Sequence, residues 1–254
     1  MGRLENKIAI VTGANSGIGE AVAKLFAQEG ATVVLTARRE SELKRVADEI
    51  TAAGGTCMYI PGDVTVTAEV DNVVDTTVKT YGRVDILVND AGIGDCHKPT
   101  IKMTDEFWDR IFDVDMKGVM RYCRACLRYM VPANSGSIVN IASIGGVYSC
   151  AGAAYSSAKA GVLSLTKNLA IQYFGTGIRA NSVSPGSTET PLFNPENFVD
   201  ADTEMIELTA QRPHKHNPGR LKPIEQAYAV LFLASDEASG VNGENITVDY
   251  GGRL

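Results

Sequence analysis

Short apolar runs alternate with longer helical segments along the whole of this 254-residue chain. Apolar strands that follow one another in this way are typical of a parallel sheet that is buried on both faces. The intervening segments have the periodicity of helices that pack on such a sheet. Strands are predicted at residues 7–11, 32–36, 56–60, 84–88, 137–141, 178–183 and 245–248, and helices at 17–29, 39–52, 67–81, 104–129, 151–174 and 223–233.

This alternation predicts an α/β fold, a single doubly wound Rossmann-type domain over residues 1–254. We expect about seven parallel strands with helices on both faces. One long stretch, residues 187–220, has no strand or helix pattern and is rich in Pro, Asn and acidic residues. An irregular stretch of that length in a compact domain is usually functional, so we expect it to form a substrate lid.

Composition excludes several classes of function. The net charge is −6 and no Lys/Arg-rich run is present, so a nucleic-acid partner is not expected. No apolar run is long enough for a signal peptide or a membrane span, which predicts a cytoplasmic protein without membrane contact. The cysteine count is five, which favours free thiols. Cys123 and Cys126 form a CxxC pattern inside a predicted helix, so neither redox use nor any metal site is predicted.

A glycine-rich turn follows the first predicted strand and opens the first predicted helix. Gly13, Gly17 and Gly19 allow a tight turn and a close approach of the backbone to a ligand. The free N–H groups and the dipole of the following helix attract an anion. A strand, a glycine turn and a helix in this order favour dinucleotide binding, although the spacing is G-x3-G-x-G rather than GxGxxG.

Tyr155 and Lys159 stand four residues apart in a predicted helix, which places both side chains on one face. An ammonium group beside a phenol favours the phenolate and lowers the pKa of the phenol. Ser143, twelve residues earlier, could add a hydroxyl. A phenol tuned in this way is suited to moving a proton onto or off a carbonyl oxygen.

With these motifs in order, the chain resembles the short-chain dehydrogenase/reductase family over essentially its whole length. The resemblance also includes TGANSGIG at 12–19, NDAG at 89–92, Asp63 after the third strand, and Pro185-Gly186 with Thr190. It is nearest to 3-oxoacyl-carrier reductases and bacterial hydroxysteroid dehydrogenases. It implies an enzyme that transfers a hydride between a nicotinamide dinucleotide and a secondary alcohol or ketone.

The resemblance assigns a cofactor-binding role to residues from six segments. The pyrophosphate and ribose would contact the glycine turn, and Asp63 would accept a hydrogen bond from the adenine amine. Residues 89–92 would flank the adenosine, residues 185–190 would hold the carboxamide, and Lys159 would hold the nicotinamide ribose. The full set is Gly13, Asn15, Ser16, Gly17, Ile18, Gly19, Arg38, Arg39, Asp63, Val64, Asn89, Asp90, Ala91, Gly92, Tyr155, Lys159, Pro185, Gly186, Thr188 and Thr190.

The same resemblance assigns the catalytic roles. Tyr155 would be the general acid in reduction and the base in oxidation, and Lys159 would lower its pKa. Ser143 would hold the substrate oxygen. Asp115 stands where the family often has an Asn that completes a proton relay to the Lys, so we include it as a fourth catalytic candidate. NDAG in place of the commoner NNAG is a second departure from the family pattern.

Cofactor choice depends on the end of the second strand, which faces the adenosine ribose in this fold. Ala37 stands where an Asp that selects NAD would be expected, and Arg38 and Arg39 follow it. Guanidinium groups suit the geometry of a phosphate, so NADP(H) is favoured over NAD(H). Glu40 and the chance that both arginines only solvate a loop keep NAD open as the alternative.

Apolar residues around the predicted nicotinamide site favour a hydrophobic substrate such as a hydroxysteroid or bile acid. They are Val147, Tyr148, Cys150, Leu192, Phe193, Phe198, Met205, Ile206 and Leu208. They could equally pack the lid onto the body. A 3-oxoacyl thioester reductase, a sugar or polyol dehydrogenase, and a non-catalytic dinucleotide-sensing scaffold are the alternatives.

Three arginines at positions 121, 124 and 128 of the long predicted helix could attract an acidic acyl carrier. In this family, however, that helix usually builds a two-fold interface. The resemblance therefore also implies a homodimer or homotetramer.

Overall fold

Seven parallel strands form the central sheet of the computed structural model, which describes residues 2–193, 201–210 and 219–252. Their order across the sheet is β3-β2-β1-β4-β5-β6-β7. The strands are β1 (Ile8–Thr12), β2 (Thr32–Thr36), β3 (Thr56–Tyr59), β4 (Ile86–Asn89), β5 (Gly136–Ile141), β6 (Ile178–Pro185) and β7 (Asn245–Val248). The chain starts in the middle, winds outward to β3 and returns to β4, so the predicted doubly wound fold is confirmed.

Nine helices are found among the described residues, and they cover both faces of the sheet. They are α1 (Gly17–Gln28), α2 (Glu40–Ala52), α3 (Thr67–Tyr81), α4 (Asp105–Phe112), α5 (Gly118–Ala133), α6 (Ile144–Tyr148), α7 (Ala153–Gln172), α8 (Thr203–Ala210) and α9 (Pro223–Ala234). None of the helices in the described segments is long and apolar enough to cross a lipid bilayer.

Two hydrophobic cores result from the alternation of side chains along the strands. In β1, Ala9 and Val11 belong to the core that lies under α1, α2 and α9. Ile10, between them, points to the opposite face and packs in the core under α3, α5 and α7. Because both faces are buried, the strands carry an unbroken apolar run rather than an alternating one.

The structure differs from the sequence-based prediction in three places. The helix predicted at 104–129 is broken by a π-helical turn, Asp113–Lys117, and continues to Ala133. The stretch 187–220 is not wholly irregular, because it contains a 3₁₀ turn, Pro191–Phe193, and the helix α8. Helix α6 has no counterpart in the prediction, since five residues are too few to display a helical period.

The crossover from β3 to β4 brings the carboxyl ends of β1 and β4 together, and ligands of doubly wound proteins bind at such a switch point. Gly13 stands at this point with a φ of +67°. A Cβ on Gly13 would lie 2.9 Å from the Ala91 nitrogen, so only glycine lets the two loops approach this closely.

Helices α6 and α7 cross with direct backbone contact at Gly146. A Cβ on this residue would lie 2.6 Å from the carbonyl carbon of Lys159 and 2.7 Å from the nitrogen of Ala160. Ser143 caps α6 through a 3.0 Å hydrogen bond from the Gly145 N–H to its Oγ. The crossing therefore sets the distance between the Ser143 end of α6 and the helix that carries Lys159.

We predict that Gly146→Ala destabilises the protein by about 1–3 kcal/mol, because backbone atoms at the crossing have to move to admit the methyl group. Urea denaturation of the variant measures this change. Gly240→Ala is the matched control, since a Cβ at Gly240 meets nothing within 4 Å. Equal stability of the two variants would contradict the close crossing.

Candidate active site

Ser143, Tyr155 and Lys159 come together at the carboxyl end of β5. Ser143 follows β5 as the N-cap of α6, and its hydroxyl is near enough to the Tyr155 phenol to lower the pKa of that phenol. The Lys159 Nζ lies 5.6 Å from the centre of the Tyr155 ring and donates a 3.0 Å hydrogen bond to the carbonyl of Ile141. The structure therefore brings together the three residues that the sequence places in one catalytic group.

The phenol of Tyr155 has a raised pKa, contrary to the sequence-based expectation. Burial has the largest effect and raises the pKa of Tyr155. The Lys159 ammonium lowers it as expected, and the Ser143 hydroxyl does so too, but Asp115 and Asp90 raise it further. The lysine thus acts in the predicted direction, but burial and two carboxylates outweigh it.

Lys159 is buried, and two carboxylates surround it. Burial by itself lowers the pKa of a lysine, but Asp115, Tyr155 and Asp90 raise it, and the net pKa of Lys159 is above its ordinary value. A Cβ on Gly92 would lie 3.3 Å from Asp115 Oδ1 and 3.5 Å from Lys159 Nζ. Glycine at position 92 therefore leaves room for the ammonium and the carboxylate on either side of it.

Asp115 lies in the π-helical turn and is fully buried. Its Oδ1 accepts a 2.8 Å hydrogen bond from the Ile93 N–H, whereas its Oδ2 has no hydrogen-bond partner among the described residues. Burial raises the pKa of Asp115 to about 6, and Lys159 limits the rise. A buried oxygen without a partner marks a position for a donor, and π-helical turns often occur at functional sites.

Asp90 links the β4 end to the first helix. Its backbone N–H and that of Ala91 donate to the Thr12 Oγ at 3.0 and 3.1 Å. Its carboxylate lies against Gly19 in the first turn of α1, where a Cβ on that glycine would be 2.7 Å from Asp90 Oδ2, and burial raises the pKa of Asp90 to about 7. Asn89, beside it, does not face this space, because its amide donates to Asn140 at 2.9 Å within the sheet.

The glycine turn fits a phosphate-bearing ligand. Gly17 has a φ of +60° and opens α1, while the Ser16 hydroxyl makes no capping hydrogen bond. The α1 terminus therefore keeps backbone donors near the switch point, as a pyrophosphate requires. Ile18 packs against the core, and Thr190 closes the other side at 3.1 Å from a Cβ built on Gly17.

The adenosine end of the site carries two exposed guanidinium groups. Arg39 donates to the Asn15 amide oxygen at 3.0 and 2.6 Å when that amide faces it. Asp63 accepts from the N–H and hydroxyl of Thr65, and these bonds outweigh burial and lower its pKa. Arg38 has no ion-pair partner within the described ranges, and its charge also lowers the pKa of Asp63.

Three of the predicted cofactor residues have structural contacts that limit their availability. Thr188 is buried, and its hydroxyl donates to the Gly186 carbonyl at 2.9 Å and accepts from Gln226 at 3.2 Å. Pro185 is the buried last residue of β6. Val64 packs against Gly118 at the start of α5. Thr190 is therefore better placed than Thr188 to face a ligand at the α1 turn.

Two residues of the site were not predicted individually from the sequence. Thr12 holds the NDAG backbone, and the only signal for it is a polar residue at the end of an apolar strand. Asp95 is buried and accepts a hydrogen bond from the backbone of Tyr155. Nothing in the sequence pattern marks this contact, because 60 positions separate the two residues.

The CxxC pair is buried in α5, as its position in a helical pattern predicts. Burial raises the pKa of the Cys123 thiol to about 12 and also raises that of Cys126. A thiol with such a pKa is not a nucleophile at neutral pH, which supports the prediction that this CxxC has no redox role.

We predict that Asp115→Asn raises stability at neutral and alkaline pH relative to the native protein. The folded-state pKa of Asp115 is about 6, above its ordinary value of 3.8, so its favourable contribution is complete below pH 3.8 and lost as the pH rises through 6. The stability difference should grow between pH 4 and pH 8, by at most about 3 kcal/mol. Urea denaturation at several pH values measures it, with the exposed Asp109→Asn as control. A difference that does not change with pH would contradict the raised pKa.

Comparison with known proteins gives matches over nearly the whole chain. A family model described as enoyl-(acyl carrier protein) reductase matches residues 13–252. A 3-oxoacyl-(acyl-carrier-protein) reductase of Thermotoga maritima is 39% identical, over 98% of this chain and 98% of its own. 3beta-hydroxysteroid dehydrogenase 2 of Eggerthella lenta is 35% identical, over 98% of this chain and 95% of its own. The crystal structure of levodione reductase superposes with a TM-score of 0.87 at 32% identity, covering 98% of each chain.

These relatives match the chain over nearly its whole length, and their names are those of reductases and dehydrogenases. The chain therefore belongs to the short-chain dehydrogenase/reductase family of NAD(P)-dependent oxidoreductases that act on CH–OH groups.

Proposed function

We propose that this enzyme interconverts a hydrophobic ketone and its secondary alcohol with NADP(H), most suitably a hydroxysteroid or bile acid. The observation that carries this proposal is the apolar surface of α6, directly after Ser143. Val147 and Tyr148 each keep 37% of their surface exposed within one and a half turns of that serine. Large apolar side chains left exposed beside a reactive hydroxyl favour a substrate with an apolar body.

The side chains of the enzyme position the substrate and transfer the proton. A dinucleotide, when bound, would supply or accept the hydride. The Ser143 hydroxyl holds the substrate oxygen, and the Tyr155 hydroxyl gives its proton to that oxygen in reduction. Lys159 stabilises the phenolate that remains, and its burial against the Ile141 carbonyl keeps the ammonium directed at the phenol. The unpartnered Asp115 Oδ2 can accept a hydrogen bond from water that returns the proton through Lys159.

The predicted lid contacts the loop after β4. The Asp202 N–H donates to the Cys96 carbonyl at 3.3 Å, and the Asp202 carboxylate pairs with Lys102 at 2.8 Å. A Cβ on Gly94 would lie 3.4 Å from Leu192. These contacts support a lid role for residues 187–193 and 201–210, with Met205, Ile206 and Leu208 on α8. The side chain of Phe193 and the whole of Phe198 lie outside the described residues.

The 3-oxoacyl thioester alternative is supported by the 39% identity to the Thermotoga maritima reductase. The expected basic patch is weak, however. Arg121 is buried and pairs with Asp113 at 2.8 Å, and Arg128 pairs with Asp71 at 2.9 Å. Two of the three arginines are therefore already neutralised by carboxylates, which favours a small substrate over a carrier protein. Sugar or polyol oxidation remains a further alternative.

We also infer a homodimer or homotetramer, as the family resemblance implies. Exposed apolar side chains at the end of α7 and of α5 support this inference. Ile171, Phe174 and Val131 leave large fractions of their surfaces in contact with solvent in the isolated chain. Apolar groups exposed in this way are stabilised by burial against a second copy.

We predict that the enzyme oxidises NADPH with a steroid ketone faster than with a 3-oxoacyl thioester or a keto sugar, because the apolar α6 surface offers few polar partners. Absorbance of NADPH across a panel of the three classes measures the rates. Tyr155→Phe is the control and should lose turnover while NADPH binding, measured by fluorescence, persists. Preference for the thioester would contradict the proposed substrate, and near-native turnover by Tyr155→Phe would contradict the proposed acid.

Preference for NADP(H) rests on the charges that surround the adenosine ribose. Ala37 offers no carboxylate to a 2′-hydroxyl, and Arg38 is exposed and adjacent to it. Arg39 is held toward the glycine turn by Asn15. A 2′-phosphate would add two negative charges beside these cations, and a charge-assisted hydrogen bond to guanidinium is stronger than a neutral one.

We predict that Arg38→Ala lowers kcat/KM for NADPH by about tenfold or more, because it removes a charged hydrogen bond worth roughly 1.5–3 kcal/mol. The value for NADH should change little, since NADH lacks the phosphate. Steady-state kinetics with both cofactors measures the ratio. Arg83→Ala, an exposed arginine at the opposite edge of the sheet, is the control. An equal loss with both cofactors would argue against a phosphate contact.

A further inference from the structure

We propose that Asp95 is a positioning residue for Tyr155, and this inference rests on the proposed acid–base role of that tyrosine. Asp95 lies in the loop after β4, and only 3% of its surface is exposed. Its Oδ2 accepts a 2.9 Å hydrogen bond from the backbone N–H of Tyr155. A carboxylate from a distant loop is therefore bonded to the main chain of the proposed acid.

This carboxylate replaces the N-cap that α7 itself lacks. The N-cap residue of α7 is Gly152, which has no side chain to accept from the first turn. Tyr155 is the third residue of the helix, and its N–H is one that an N-cap side chain normally bonds. An anion at this end of a helix also interacts favourably with the helix dipole. Asp95 thus supplies both the acceptor and the charge from outside the helix.

The carboxylate occupies the space where a side chain of residue 152 would begin. A Cβ on Gly152 would lie 2.2 Å from Asp95 Oδ1 and 2.3 Å from Asp95 Oδ2. Glycine at position 152 and aspartate at position 95 are therefore a matched pair. Gly152 has φ −66° and ψ 163°, which any N-cap residue can adopt, so the glycine is required by the carboxylate rather than by the backbone.

The loop holds Asp95 in a defined orientation. Its Oδ1 accepts from the His97 N–H at 3.1 Å, and its carbonyl accepts from the Lys98 N–H at 3.1 Å. Cys96 and His97 both have left-handed backbones, with φ of 54° and 51°. Non-glycine residues adopt this conformation at a cost, so two in succession indicate a turn that the surrounding contacts determine. The position of the carboxylate is therefore set by its own loop as well as by α7.

The hydrogen bond to Asp95 affects the position of the Tyr155 phenol. The bonded nitrogen is attached to the Cα from which the Tyr155 side chain extends, so the bond sets where the hydroxyl meets Ser143 and a substrate oxygen. Misplacement of a reacting group by about 1 Å can cost 100-fold in rate. A cap that served only stability would leave the rate of the folded enzyme unchanged.

The test compares Asp95→Ala, Asp95→Asn and the double variant Asp95→Ala/Gly152→Asp in the full-length enzyme. Single-turnover hydride transfer is measured with the substrate on which the native enzyme is most active, whatever its class. A wrong substrate class therefore leaves this comparison intact. NADPH affinity and thermal stability are measured on the same samples, and rates are expressed per folded, NADPH-binding site.

We expect Asp95→Ala to lower the rate per folded site by about 10- to 100-fold with NADPH affinity within about twofold of native, as misplacement of one reacting group predicts. Asp95→Asn should lose less, because its amide oxygen can still accept from Tyr155. The double variant should recover much of the rate, since the carboxylate then caps α7 from position 152. Asp85→Ala is the control, because it removes a carboxylate that accepts from the Ile8 N–H at 2.8 Å at the opposite edge of the sheet. It should lower stability alone.

The proposal is overturned if Asp95→Ala keeps the native rate per folded site and loses only stability, as the Asp85→Ala control does. Should the double variant fail to fold, the comparison of Asp95→Ala with Asp95→Asn still decides, because equal and native-like rates for both exclude a positioning role.

Discussion

The switch point between β1 and β4 decides where the polar groups of the candidate site lie. Parallel strands end at one edge of the sheet, and the chain leaves the two central strands in opposite directions. The opening is bounded by the glycine turn on one side and the NDAG backbone on the other. Thr12 ties the two together by accepting from the backbone of Asp90 and Ala91. Ser143 and the π-helical turn reach the same edge from β5 and α4.

The opening contains one buried ammonium group, that of Lys159, and two buried carboxyl groups. Lys159 faces the carboxylates of Asp115 and Asp90, each with a pKa raised by burial, to about 6 and about 7. Each carboxylate that ionises raises the pKa of Tyr155, whereas Lys159 lowers it. A raised pKa keeps the phenol protonated near neutral pH, which suits a group that gives a proton to a ketone. The two aspartates that depart from the usual family pattern thus both act on the same phenol.

Much of the fold could be predicted because it depends on local patterns. The apolar strands and their alternation with helices predicted the seven-stranded sheet, and the i, i+4 spacing predicted that Tyr155 and Lys159 share a face. The π-helical turn could not be predicted, because its five residues differ from an α-helix only in hydrogen-bond register. The sequence also could not indicate that the Thr188 hydroxyl is already hydrogen-bonded, since its partner Gln226 lies 38 positions away. The net rise in the pKa of Tyr155 depends on burial, which no spacing records.

The sequence by itself determined the fold class, the family and the residues proposed for catalysis, because each of these depends on periodicity or on spacing within a short segment. The tertiary structure alone decided which carboxylates surround Lys159, how far burial outweighs the ammonium, and which residue caps the helix of Tyr155. These are contacts between segments that are distant along the chain. Their energies depend on desolvation and on distances of a few ångströms, and both arise only when the segments pack together.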